Sequence, residues 1–195
     1  MLRFCCIFLL ALISCHIDKP TGNFKRILNS SHNIKSQKLN FGGVYHNNSE
    51  DNYYLERPIY FFSNGLFYYD NGSVTDSAGL AGISVWIDKY LQQKKAGWGA
   101  YEIIGDTIKG SVYYNFSTPV VNYRLANFEG IIKNKDTILQ WHLVEPYPKL
   151  KKYPREEFDF LFKDQKDFYF KPLPIKQTMD SISKKAWILK YRDKK

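Results

Sequence analysis

From Phe41 onward, apolar and polar positions alternate in short runs broken by turn residues, most regularly over residues 98–116. Gly105-Asp106 in the middle of that stretch predicts a two-residue hairpin turn, because glycine supplies the positive φ that a primed turn needs. The turn fixes the register. Ile104 faces Thr107, Ile103 faces Ile108, Tyr101 faces Gly110 and Gly99 faces Val112, while Glu102 faces Lys109 and Ala100 faces Ser111. One side of the hairpin is apolar, and the other is polar with opposite charges in register. A lone hairpin is marginal in water, so more sheet is expected against its apolar side.

The flanking pattern supplies that sheet. Residues 41–46 predict a first strand and residues 53–62 a second, with Pro58 marking an edge or a bulge. Ser63-Asn64-Gly65 is a hairpin turn, residues 66–70 return, and Asn71-Gly72 stops them. Residues 84–95 break the alternation with Val85, Trp86, Tyr90 and Gln93 at helical spacing, and Gly97 ends that short inserted helix. After the hairpin, residues 120–132 and 137–144 predict two strands around a turn at 133–136. In the second of these Leu139, Trp141 and Leu143 face one way and Gln140 and His142 the other. Residues 158–162 alternate again, residues 167–172 add a last strand, and Trp187-Ile188-Leu189 predicts a short C-terminal helix. About eight short strands at close spacing imply a mainly β fold, an antiparallel meander closing into a barrel or a sandwich.

Ahead of the strands stands a different kind of sequence. Arg3 and an apolar run over residues 4–14 have the form of a signal peptide, too short to span a bilayer as a helix. Leu12-Ile13-Ser14-Cys15 resembles the lipobox of bacterial lipoproteins. That resemblance implies cleavage before Cys15, acylation of Cys15 and attachment to a membrane, most naturally the outer membrane, through acyl chains such as palmitate. Two or three chains at one site hold a protein stably where one would not. Cys5 and Cys6 leave with the signal, so the mature domain does not depend on disulfides. Residues 15–40, polar and rich in Lys, Ser and Asn, are expected to form a flexible tether, with the folded domain over residues 41–195.

Composition narrows the function. Tyr and Phe, at 15 and 14 residues, carry most of an aromatic share of 17% and favour strands. The formal charge of +9 suits solubility or attraction to anionic lipid, and outside the cytoplasm nucleic acid is not an expected partner. No phosphate loop, nucleophile elbow, paired-Cys spacing or HExxH occurs, and His46 and His142 each stand alone in a strand. No enzyme activity, cofactor or metal is therefore expected. Trp98, Tyr101, Tyr113, Tyr114, Phe128 and Trp141 are candidates to line a ligand cavity, or alternatively to fill a solid core.

Gly43-Val44-Tyr45, Trp98-Gly99-Ala100-Tyr101 and Gly105-Asp106-Thr107-Ile108 resemble segments of the lipocalin-like barrels, particularly small envelope lipoproteins of that kind. Tyr45 stands where true lipocalins carry Trp. The resemblance implies a barrel of about eight strands and a small apolar or lipid-like ligand. The alternative is a fully packed barrel acting as a structural or protein-interaction component of the cell envelope.

Overall fold

The computed structural model describes residues 16–17, 19–30, 38–47, 54–69, 73–75, 97–115, 122–145, 165–173, 181, 183–184 and 186–192. The signal segment, Cys15, the helix expected at 84–95 and the strand expected at 158–162 lie outside these residues.

The strands are β1 (His16–Ile17), β2 (Gly43–Asn47), β3 (Tyr54–Phe61), β4 (Leu66–Tyr69), β5 (Ser73–Thr75), β6 (Trp98–Ile104), β7 (Thr107–Asn115), β8 (Asn122–Asn134), β9 (Thr137–Glu145) and β10 (Lys166–Pro172). The helix α1 (Gly22–Ser30) precedes β2, and a 3-10 turn (Trp187–Tyr191) follows β10. From β2 the strands pair antiparallel in the order β2, β3, β4, β6, β7, β8, β9 and β10, and β10 returns to β2. The result is a closed antiparallel barrel of eight strands in which β4 and β5 both pair β3 as one interrupted strand. Closure leaves no long edge for another chain to extend.

The β6–β7 hairpin has the register that its turn dictates, from Ile104 opposite Thr107 to Gly99 opposite Val112, and Gly105 sits at φ +61°. Pro58 also falls where expected: Tyr45 pairs Ile59 but Asn47 pairs Glu56, so β3 bulges between them. The alternation expected in β9 does not hold. Ile131 pairs Leu139 while Glu129 pairs His142, which sets two β9 residues against Gly130, and Gln140 takes a left-handed φ of +54°. The bulge puts Ile138 and Trp141 inside and leaves Leu139 opposite exposed Ile131, on the outer side.

Two apolar layers form. Inside the barrel lie Tyr45, Ile59, Phe61, Phe67, Tyr69, Tyr101, Ile108, Val112, Phe128, Trp141 and Phe168. Outside it, Tyr60, Phe62, Leu66, Tyr68, Trp98, Ala100, Tyr113 and Leu125 pack under Phe24, Ile27 and Leu28 of α1 and Ile188 of the 3-10 turn. The flexible tether expected over residues 15–40 is thus corrected at Gly22–Ser30. Thr21 Oγ1 accepts the Phe24 N–H at 3.1 Å and caps the helix, and Phe24, Ile27 and Leu28, spaced three and four residues apart, form one fully covered face. At the far end, the predicted C-terminal helix is the 3-10 turn, seated by Ile188 and by Trp187 against Tyr113 at 5.0 Å.

Candidate functional site

Of the six aromatics singled out by sequence, the five with described side chains fall into two separate layers. Tyr101, Phe128 and Trp141 lie inside the barrel, whereas Trp98 and Tyr113 lie in the outer layer beneath α1 and the 3-10 turn. The Tyr114 side chain is outside the described residues. The interior rings pack on one another. Phe61 meets Tyr101 edge-on at 5.0 Å, Trp141 at 6.2 Å and Phe67 at 5.8 Å, and Phe128 stacks on Trp141 at 5.6 Å with 5° between planes. Their polar ends are engaged with backbone. Tyr101 donates to the Phe62 carbonyl at 2.9 Å, and Tyr45 donates to the Lys135 carbonyl at 2.6 Å while accepting the Asn40 N–H at 2.9 Å. Burial pushes both phenols well above the ordinary tyrosine range, so both stay neutral donors. Trp141 Nε1 is the exception: it is buried with no hydrogen-bond partner among the described residues.

A groove lies on the outside, where α1 leaves part of β6, β7 and β8 uncovered. Because paired residues in neighbouring strands point to the same side, Glu102, Lys109, Glu129 and His142 form one row across four strands. Arg26 of α1 joins the row from above, its guanidinium gripping both oxygens of Glu102 at 2.6 and 2.7 Å. The hydrogen bond to Glu102, and then its charge, hold the Arg26 pKa above its ordinary value. Lys109 meets Glu129 at 3.3 Å, and His142 Nε2 lies 3.9 Å from the other Glu129 oxygen. The ring of His142 is oriented by Nδ1, which donates to the Gln140 carbonyl at 2.6 Å, so the bulge residue sets where the imidazole points.

Between Arg26, this row and the next one lies a groove of about 280 Å³ with Ser111 and Asn127 in its floor and Ile104 and Val144 on its rim. Ser111, 2% exposed, donates to Asn127 Oδ1 at 2.5 Å. One row beyond, Ile104, Thr107, Ile131 and Leu139 stand in register, with Ile104 57% and Ile131 44% exposed. Each carboxylate of the groove faces a cation, which leaves neither Glu102 nor Glu129 as a free base. Sequence reasoning found the Glu102–Lys109 juxtaposition but missed Arg26, which the apolar triplet on α1 could have exposed. Among the described residues no group of three or more His, Cys, Asp or Glu is placed to hold a metal, and no helix is long and apolar enough to cross a membrane.

An up-and-down antiparallel barrel with a helix packed outside is thus the class of fold in hand. Comparison of the chain with protein-family models, with curated proteins and with solved structures found no match.

Proposed function

We propose that this protein is a non-catalytic, lipid-anchored component of the cell envelope whose barrel serves as a solid scaffold for contact with a protein partner. One observation carries the reading: the rings of the described barrel interior contact one another, where a carrier would keep them around an open space. The recognition surface is then external, the charged row from Arg26 to His142 with Ile104, Ile131 and Val144 beside it. Charge alternation sets register with a partner and the apolar rim supplies burial. Cys15 anchors the scaffold, and Cys15→Ala is expected to abolish acyl labelling and release the protein from membranes.

A second reading, a lipocalin-like carrier of a small apolar ligand, is favoured by the unpartnered indole N–H of Trp141 inside the barrel. Native mass spectrometry of the mature Cys15→Ala chain, purified without detergent from cells rich in lipid, separates the two. A bare mass that a fatty-acid and lipid panel does not move is expected. A retained small molecule, lost in Trp141→Phe, overturns the scaffold reading and establishes the carrier.

A further inference from the structure

The chain is paired to the barrel immediately after Cys15. His16 and Ile17 pair in parallel with Asn122 and Tyr123 of β8, so the residue covalently next to Cys15 is already fixed to the sheet. Tyr123 also pairs Asn115, the last residue of β7, which places β1 at the end of β7 remote from the Gly105-Asp106 turn. Nine residues of extended strand put those two ends about 26 Å apart. On the outer side near β1, Phe24 and Trp187 both contact the Tyr113 ring, at 5.3 and 5.0 Å. Trp187 and Tyr191 are half-buried, and exposed Lys190 holds its ammonium over both rings, at 5.1 and 4.8 Å. Lys19 and Lys25, also exposed, lie on the segment that leads from β1 into α1.

We propose that this side of the barrel is apposed to an anionic bilayer surface, with Trp187, Lys190 and Tyr191 in the headgroup layer and the Gly105-Asp106 turn pointing away. The proposal rests on Cys15 as the acylated residue, and the aromatic and basic cluster supports it independently. Amphipathic rings settle at the membrane–water interface, and each lysine near an anionic surface adds attraction. An anchor fixed within one residue of a sheet pairing cannot leave the barrel's orientation free, as a long tether would.

With Cys5 and Cys6 gone and the Cys15 thiol alkylated, a single introduced cysteine is the only thiol available for labelling. Environment-sensitive fluorophores are placed at Lys190→Cys and at Asp106→Cys in the acylated protein. Each is reconstituted in vesicles of phosphatidylethanolamine and phosphatidylglycerol carrying a headgroup spin label. Several-fold stronger quenching at position 190 than at 106 is expected. Equal quenching at the two positions, or stronger quenching at 106, overturns the proposal. Should the protein fail to float with vesicles, the anchor reading fails separately. The same two labels are then read on the Cys15→Ala chain, held to nickel-chelating vesicles by an N-terminal histidine tag, where the same contrast supports the proposal and its absence defeats it.

Discussion

Single residues decide how closely the barrel wall can pack on its contents. Phe67 lies over the β6–β7 hairpin where two glycines, Gly99 and Gly110, leave room for its ring. A Cβ at Gly99 would overlap that ring and the Ser111 carbonyl oxygen, so Gly99→Ala is expected to cost about 1–3 kcal/mol through overpacking. Gly105 is the opposite case. A Cβ there meets nothing, but the φ of +61° strains any other residue, and Gly105→Val is expected to cost about 1–2 kcal/mol through the backbone alone. Urea unfolding of the two variants tests both costs, and an unaltered midpoint in Gly105→Val would mean that the turn adopts another conformation. His46 carries a pH dependence of definite sign. Burial, opposed by a hydrogen bond to the Asn47 carbonyl, holds its pKa below 6.5. Its contribution is therefore present above that pH and lost as pH falls through the lower folded value. His46→Gln should flatten that part of the acid limb, read as denaturation midpoints between about pH 7 and about pH 5. Unchanged slopes would place the acid sensitivity elsewhere.

Among elements, α1 and the β6–β7 hairpin show why one was legible and the other hidden. The hairpin declares itself because a two-residue turn leaves no freedom in register, and six cross-strand pairs follow from Gly105-Asp106. The helix does not. Phe24, Ile27 and Leu28 are three apolar residues in a Lys- and Asn-rich stretch, and what makes them a helix is the outer layer of Trp98, Ala100, Tyr113 and Leu125 that receives them. The β9 bulge was hidden for a related reason. Gln140 is strained to φ +54° in a tertiary setting, with the Asp167 carboxylate accepting its N–H at 2.9 Å, and no residue in 137–144 signals it. The charged row inherited both difficulties, since Arg26 comes from α1 and His142 is aimed by the bulge. If α1 is part of the fold, Phe24→Ala, at a fully buried position against Tyr113, should cost about 3–5 kcal/mol. A tether would tolerate it. Thermal unfolding of the mature chain decides, and a melting temperature equal to that of the parent would return residues 22–30 to the status of a linker.

At the scale of the whole molecule, the barrel depends on one pairing between distant parts of the chain. β10 lies between β2 and β9, with Phe168 opposite Asn47 on one side and Ile138 on the other, and Pro172 opposite Gly43. Every other seam of the barrel joins strands adjacent in sequence, so this seam alone needs a closure spanning most of the domain. Residues 167–172 predict a strand, but no local pattern says which strand they close upon. Phe168 is 1% exposed inside the barrel. Replacement by Pro removes both the ring and an amide from a strand paired on both sides, at a cost of about 3 kcal/mol or more. Opening here would expose the edges of β2 and β9 together, a pair of templates for another chain. Phe168→Pro is therefore expected to elute as dimers or larger species, whereas Phe168→Leu, which keeps the amide, should lose stability and retain the parent's elution volume. If Phe168→Pro eluted and melted like the parent protein, the β10 seam would not be what closes the barrel.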